Sequence, residues 1–202
     1  MTQLSYRKEK NNMSQIIGIL ILLILFVSYQ FYFKEKWFKR RGEKQSEFAS
    51  IMSSSISSYN SKKDEGNHFA MTNLRTDRKN NLQKLFGNSL AINNWEGEVT
   101  LIDNSGIFND ENDDIVLHIT PIETNVTLET WNNSISDENN KTLIKRNSSL
   151  ANTLRTLKIG DIVTFSGDFF SDETDFLKET SITENGSMTE PEFLFRFTDI
   201  KK

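Results

Sequence analysis

The chain has 202 residues and no cysteine, which excludes disulfides, thiolate metal sites and cysteine nucleophiles. Its net charge of −4 is unevenly distributed along the chain. Residues 1–89 hold 15 Lys and Arg against 7 Asp and Glu, a net of +8, whereas residues 90–202 hold 9 against 21, a net of −12. The acidic half disfavours nucleic acid as a partner, because binding a polyanion depends on Lys and Arg near the phosphates.

An uncharged apolar run, IIGILILLILFVSYQFYF, covers residues 16–33. A helix rises about 1.5 Å per residue, so a run of this length covers roughly the hydrocarbon core of a bilayer. The run lacks the small-residue cleavage pattern of a signal peptide and has fewer polar residues than a core helix usually carries. The sequence therefore predicts an uncleaved transmembrane helix over 16–33, a single-pass location in the cell inner membrane and the lipid bilayer as a partner.

Aromatic and basic residues surround the C-terminal end of this run, as expected at a membrane interface. The predicted membrane-interface residues are Tyr29, Tyr32, Trp37, Lys39, Arg40 and Arg41. Basic residues are more numerous after the run, in 34–44, than in the flank before it. The positive-inside rule therefore predicts that the C-terminal domain is cytoplasmic, with a periplasmic domain as the open alternative.

Between the apolar run and the acidic half lies a polar region whose structure has two readings. Serine is dense in 45–66, and both a continued helix and a flexible tether are compatible with its weak apolar stripe. The apolar residues of 67–92 have the spacing of a short amphipathic helix, which Gly87 and Asn88 can end. The predicted segments are a flank (1–15), a transmembrane helix (16–33), a basic collar with a Ser-rich tether (34–66), a lead-in amphipathic helix (67–92) and a mainly-β domain (93–202).

From Trp95 onward the apolar residues mostly alternate with polar ones, which is typical of half-buried strands. The predicted strands are 95–102, 115–119, 125–131, 162–170, 176–183 and 192–200. Between the third and fourth, Leu150, Leu154 and Leu157 have helical spacing, with a cap near Asn147 or Ser148. Asn185 and Gly186 indicate a turn before the last strand.

The stretch LRTLKIGDIVTFSGDF, residues 154–169, resembles the passage from the helix to the fourth strand in OB-fold domains. The resemblance implies a five- or six-stranded Greek-key barrel with one helix between strands 3 and 4. The domain is most similar to the tRNA-anticodon-binding-like OB domains of uncharacterised bacterial membrane-anchored proteins. The expected fold is thus a single N-terminal transmembrane helix followed by a mainly-β, OB-like domain, and the resemblance brings no functional residues with it.

The patterns of common catalytic sites are missing from the sequence. His68 and His118 are far apart, and there is neither a Gly-x-Ser-x-Gly nor a P-loop motif. We therefore expect no enzyme, no catalytic residue, no metal and no cofactor. An acidic loop ending in Asp110–Asp114 offers oxygen ligands for calcium but lacks the EF-hand spacing, so a solvated loop is favoured and calcium stays open.

The sequence favours a non-enzymatic protein-interaction module within a membrane-associated bacterial assembly. Two alternatives remain, a membrane-tethered binder of single-stranded nucleic acid and a periplasmic OB-like envelope or stress protein. An aromatic side chain and a basic path suit either kind of ligand, since both features can recognise proteins or nucleotides. The predicted ligand or partner surface consists of Trp131, Lys145, Arg146, Arg155 and Lys158.

Overall fold

A computed structural model of the chain describes residues 19–26, 28–29, 42–105 and 114–202. The chain divides into two compact units, Met1–Arg40 and Arg41–Lys202. In the first unit the described residues are helical, and the large apolar side chains among them are exposed. The second unit contains the remaining elements.

The predicted transmembrane helix is wrong. Among the described residues, no helix has both the length and the apolar character needed to cross a membrane. The described helical residues of the predicted span are 19–26 and 28–29. Residues 16–18, 27 and 30–33 of that span lie outside the described residues. The same finding contradicts the predicted single-pass inner-membrane location and, with it, the assigned side of the membrane.

The predicted membrane-interface residues lie mostly outside the described residues. Tyr29 is described and is 59% exposed. The others, Tyr32, Trp37, Lys39, Arg40 and Arg41, belong to ranges that the structure does not describe.

A helical hairpin precedes the β domain. Helix α1 spans Glu43–Asp64 and helix α2 spans His68–Phe86. Gly66, with a φ of 69°, lies in the turn between them, a left-handed conformation that glycine adopts without a steric cost. The Asn67 side chain caps α2 by accepting a hydrogen bond from the backbone N–H of Ala70 at 3.1 Å. The serine-rich segment is therefore helical, and the tether reading does not hold for it.

Packing, rather than intrinsic propensity, stabilises α1, because serine is a modest helix former. Phe48 and Met52 are fully buried, and they join Leu82 and Phe86 of α2 in the main hydrophobic core. The weak apolar stripe of the segment is thus the face that packs on the rest of the molecule.

Strands and two short helices follow the hairpin. The strands are β1 (Ala91–Asn104), β2 (Ile115–Pro121), β3 (Thr127–Glu129), β4 (Ile162–Phe169), β5 (Ser171–Asp172), β6 (Phe176–Leu177) and β7 (Glu192–Lys201). Helix α3 (Ser149–Leu154) lies between β3 and β4, and helix α4 (Glu184–Thr189) lies between β6 and β7. Ser148 caps α3 by accepting from the Ala151 N–H at 3.1 Å, which confirms one of the two predicted cap positions.

Five strands form a closed barrel in the order β1-β2-β3-β7-β4, with β4 pairing back to β1. The β3–β7 pair is parallel, and the other pairs of the barrel are antiparallel. This barrel, with its helix between the third and fourth strands, is compatible with an OB-like fold. The predicted mainly-β barrel of five or six strands is therefore confirmed, with five strands.

Two glycines allow the barrel strands to approach one another closely. A Cβ on Gly97 would lie 2.4 Å from the Ile119 side chain. A Cβ on Gly167 would lie 2.2 Å from the backbone oxygen of Arg196, beside a register shift between β4 and β7. Side chains larger than hydrogen therefore do not fit at these positions without a movement of the strands.

The last third of the domain differs from the predicted elements. The Asn185–Gly186 turn is wrong, since these residues lie in α4, whose cap Thr183 accepts from the Gly186 N–H at 3.0 Å. The predicted fifth strand, 176–183, is regular only over β6, although residues 178–180 pair with the start of β7.

Candidate partner-binding surface

Most of the aromatic side chains that could stack on a ligand are buried in the barrel core. Phe165, Phe169, Phe193 and Phe195 are at most 3% exposed. Their rings pack edge to face, with Phe169 and Phe195 centroids 5.0 Å apart, a favourable geometry for aromatic pairs. These side chains stabilise the core and are closed to a ligand.

Trp131 lies just after β3 and stays partly exposed. Its indole Nε1–H donates to Asn140 Oδ1 at 3.1 Å, and its backbone N–H donates to the Thr142 hydroxyl at 2.8 Å. The Lys178 ammonium lies 5.4 Å from the ring centroid and also donates to Asn140 Oδ1 at 3.2 Å. A cation–π contact and the hydrogen bond of Nε1 thus fix the orientation of the ring, while the backbone hydrogen bond to Thr142 holds the main chain.

A buried carboxylate shapes the loop that carries Trp131 and its partners. Asp137 is 6% exposed and accepts hydrogen bonds from the Thr142 backbone at 2.6 Å, the Thr142 hydroxyl at 2.7 Å and the Leu143 backbone at 3.0 Å. Three bonds to one carboxylate hold the loop closed, since hydrogen bonds to charged groups are the stronger ones. Trp131 is therefore presented by an ordered loop.

A cavity of about 260 Å³ opens where β1 ends and α3 packs against the barrel. Arg146 donates to Asn104 Oδ1, and Arg155 donates to the Arg146 backbone oxygen at 3.0 Å. Lys145 forms an ion pair with Asp114 at 2.5 Å. The cavity is lined by Ile102, Asp103, Asn104, Ile115, Arg146, Leu154 and Arg155.

The structure brings together three of the five predicted surface residues. Lys145, Arg146 and Arg155 form one basic group, which the chain between 132 and 144 connects to Trp131. Lys158 lies apart from the cavity, in the turn before β4, where its backbone N–H donates to Asp161 Oδ2 at 3.0 Å. On the ground that one loop joins them along the chain, we group Trp131 and Lys178 with Lys145, Arg146 and Arg155 and call these five residues the Trp131 surface. Its role in binding stays a prediction.

The sequence missed Lys178 and Asn140 as neighbours of Trp131. Lys178 is 47 positions away along the chain, and only the placement of β6 beside the loop brings its ammonium over the ring. A local sequence pattern does not predict this contact. The alternation of apolar residues predicts which face of a strand a residue occupies, but not which residues contact a loop.

His118 forms a second polar site on the barrel wall. Its Nε2 lies 3.4 Å from Glu129 Oε2 on the neighbouring strand. Burial lowers the pKa of His118, while the charge of Glu192 acts in the opposite direction. Burial also raises the pKa of Glu129, against a hydrogen bond from the Thr180 hydroxyl at 2.6 Å. Both shifts disfavour the charged form of the side chain, which is the expected effect of burial.

The calcium question concerns residues that lie largely outside the described part of the chain. Asp110, Glu111 and Asp113 are not described, and the carboxylate of Asp114 is engaged with Lys145. Among the described residues, no three His, Cys, Asp or Glu side chains are arranged to hold a metal ion.

Comparison of the chain with protein-family models, with curated proteins and with solved structures finds no match.

Proposed function

We propose that the OB-like barrel is a non-catalytic protein-interaction domain that binds its partner through the Trp131 surface. The observation that carries the proposal is the ring of Trp131, partly exposed and fixed by Asn140 and Lys178. The finer resemblance, to tRNA-anticodon-binding-like OB domains, is part of the same proposal. The strand order supports it without assigning a ligand.

The composition of the surface supports a protein partner. Trp and Arg are the side chains that most often dominate the energy of protein interfaces, and this surface offers one Trp and two Arg. The loop that carries Trp131 is held by the three hydrogen bonds of Asp137. Binding therefore requires little further ordering of the loop, which lowers the entropic cost of association.

Electrostatics argue against a polyanionic partner. Residues 90–202 carry a net −12, and the Lys145 ammonium is already paired with Asp114. A phosphate would have to compete with that carboxylate and approach an acidic domain, which reduces the counterion-release gain of nucleic-acid binding. The Arg146–Arg155 cavity is the feature that favours the second candidate, a binder of single-stranded nucleic acid.

Quantitative capture tests the proposal with two variants. The tagged 202-residue chain, Trp131→Ala and the control Phe69→Ala are used to capture proteins from an extract of the source cells, with mass-spectrometric quantification. Phe69 is 82% exposed on α2, so its removal changes an exposed aromatic outside the Trp131 surface. For a partner that binds this surface, we expect Trp131→Ala to reduce the affinity about 30-fold or more, the effect of losing a 2 kcal/mol hot spot. Capture of the same partner by Phe69→Ala should be unchanged.

A direct binding measurement separates the two candidates. Fluorescence anisotropy with a labelled single-stranded oligonucleotide is recorded for the same chain at 50 and 200 mM salt. We expect no binding at either concentration. Binding that weakens steeply with salt and is lost in Arg146→Ala would establish the nucleic-acid candidate and contradict a protein-interaction domain. Equal capture of every partner by Trp131→Ala and the unchanged chain would also contradict the proposal.

A further inference from the structure

The last part of β1 pairs with a strand on one side only. Strand β2 pairs with β1 as far as Asn104, whereas β4 pairs with it only as far as Glu98. The last contacts on the β4 side are those of the Val99 backbone with Gly160 and Asp161, both at 2.9 Å. Beyond them, no strand of the described residues lies along the edge of β1 that faces away from β2.

The register of β1 and β2 determines which backbone groups point to this open edge. The Ser105 N–H donates to the Asp114 backbone oxygen at 2.8 Å, so these two residues form a hydrogen-bonded pair. Such pairs alternate with non-hydrogen-bonded ones in an antiparallel ladder. Ile102, opposite Leu117, is therefore in a non-hydrogen-bonded position, and its N–H and C=O point away from β2. Leu117 agrees with this register, because its own backbone bonds to Thr130 on the far side of β2.

The open edge can form three hydrogen bonds with a further strand. No described residue gives the N–H or the C=O of Ile102 a backbone partner. The Asn104 N–H, by contrast, donates to the Asp103 carboxylate at 2.7 Å, which leaves the Asn104 carbonyl as the second acceptor of the edge. An added strand could thus bond twice to Ile102 and once to Asn104.

The same edge borders the cavity of about 260 Å³ beside α3. Residues 102–104 line this cavity together with Leu154 and Arg155. The Arg155 side chain is exposed, and its guanidinium donates to the Asn152 side chain and to the Arg146 backbone oxygen at 3.0 Å. Both acceptors are uncharged, so these contacts leave the positive charge of Arg155 without a balancing carboxylate.

We propose that the edge of β1 at residues 102–104 accepts an extended segment of a protein partner as an added strand, with an acidic side chain of that segment beside Arg155. This use of the edge rests on the proposed protein-interaction function and names the form of its ligand. An unpaired sheet edge provides main-chain hydrogen bonds to an extended peptide, and the groups beside the edge select its side chains.

The lining of the cavity selects one class of peptide. Ile102 and Leu154 offer apolar contacts to an aliphatic side chain, and Arg155 offers a charge-assisted hydrogen bond to a carboxylate. A segment with one or two carboxylates is opposed by the net −12 of residues 90–202 far less than a nucleic acid, which carries a charge at every phosphate. The acidic domain is therefore compatible with this ligand.

Amide NMR of the full ¹⁵N-labelled chain measures the pairing. The probe is a blocked peptide of about nine residues, in which valine and threonine alternate around two adjacent central glutamates. We expect it to shift the amide resonances of Ile102 and Asn104 and to slow the solvent exchange of the Ile102 N–H. Two further peptides are methylated on the backbone nitrogen of every second residue, one in each of the two alternating sets, and one of them should not bind because it lacks the donors that face β1.

The charge of the ligand is tested with matched variants. Arg155→Gln should bind the probe about five-fold more weakly, the effect of an exposed ion pair, and replacement of both glutamates by glutamine should weaken binding to the unchanged chain by a similar factor. Lys84→Gln is the control, because it removes the same charge from an exposed position at the end of α2. Its affinity for the probe should equal that of the unchanged chain.

Three results would overturn strand addition. These are unchanged resonances of Ile102 and Asn104 at about 5 mM peptide, a concentration that detects even millimolar binding, equal binding of all backbone-methylated peptides, and equal affinities of Arg155→Gln and Lys84→Gln. A partner whose capture is still lost with Trp131→Ala would in that case leave the proposed function intact. Peptide binding at the edge, combined with capture that does not depend on Trp131, would instead contradict the assigned surface and retain the edge.

Discussion

Phe48→Ala tests whether the helical hairpin is part of the barrel core. The ring is fully buried and lies between the hairpin and three strands. Its centroid is 5.1 Å from that of Trp95 on β1, 5.9 Å from that of Phe169 on β4 and 6.3 Å from that of Phe193 on β7. The Phe86 ring of α2 lies against it as well, with centroids 6.1 Å apart, so truncation removes the centre of this contact.

The expected loss is about 3–5 kcal/mol, the range for removing a fully buried phenylalanine and leaving a cavity. For the unit Arg41–Lys202, each 1 kcal/mol lowers the melting temperature by about 2–4 °C. The variant is therefore expected to melt roughly 6–20 °C lower. The urea midpoint should fall by a corresponding amount, with an unchanged m-value if unfolding stays two-state.

Urea unfolding followed by circular dichroism and by tryptophan fluorescence measures both the helices and the barrel. Since the hairpin and the barrel share one core, the two signals should shift together. Phe69→Ala is the matched control, because its ring is 82% exposed and its loss should change the free energy of unfolding by no more than about 0.5 kcal/mol. A loss below 1 kcal/mol in Phe48→Ala, or a helical transition separate from that of the barrel, would refute the shared core.

Three further changes test the barrel and its wall. Gly167→Ala places a Cβ against the Arg196 backbone oxygen and should cost about 1–3 kcal/mol or more in urea unfolding. Gln45→Ala removes bonds of 2.6 and 2.9 Å to the Glu96 backbone and should cost about 1–3 kcal/mol, measured in the same way. Burial lowers the pKa of His118, so stability falls as pH drops below about 6.5; His118→Gln should lose less stability between pH 7 and pH 5 than the unchanged chain.

Regular alternation made the barrel strands predictable. Phe193, Phe195 and Phe197 repeat every second residue, and all three are buried in the core as one face of β7. In β1 alternation correctly predicts that Trp95 and Val99 are buried. It fails for the residues after Val99, because the register with β2 shifts there. A bulge changes which face the next residue occupies, and single-sequence alternation carries no sign of it.

Contacts between residues distant in sequence determine the secondary structure of segments in which apolar and polar residues do not alternate. The serine-rich segment forms α1 because Phe48 and Met52 find a core on the barrel, which a local reading of serine content cannot include. Asn185 and Gly186 have turn chemistry, yet Thr183 caps a helix over them, and Lys63 of α1 donates to Asn185 Oδ1 at 2.8 Å. In both places a partner distant in sequence determined the local structure.

Part of the candidate site can be predicted from the sequence, and part depends on contacts between residues that are distant in sequence. Lys145, Arg146 and Arg155 could be grouped from sequence because they flank one short helix. The ring of Trp131 could be noted as an exposed aromatic candidate, but not its contact with Lys178. The buried pair of Arg78 and Glu179, which joins the hairpin to the barrel domain, is 101 positions apart in sequence, and a buried arginine has no sequence signature of its own.

The ends of the barrel determine where a partner has room to bind. Trp95, Phe169 and Phe193 lie at the start of β1, the end of β4 and the start of β7, which antiparallel pairing brings to one end of the barrel. The aromatic rings of the hairpin, Phe48 and Phe86, pack on Phe169 at that end. At the other end, α3 buries Ala151 and Leu154 in the same core. Since helices of the chain pack over both ends of the interior, we expect a partner of this barrel to contact its outer wall or its loops, one of which carries Trp131 after β3.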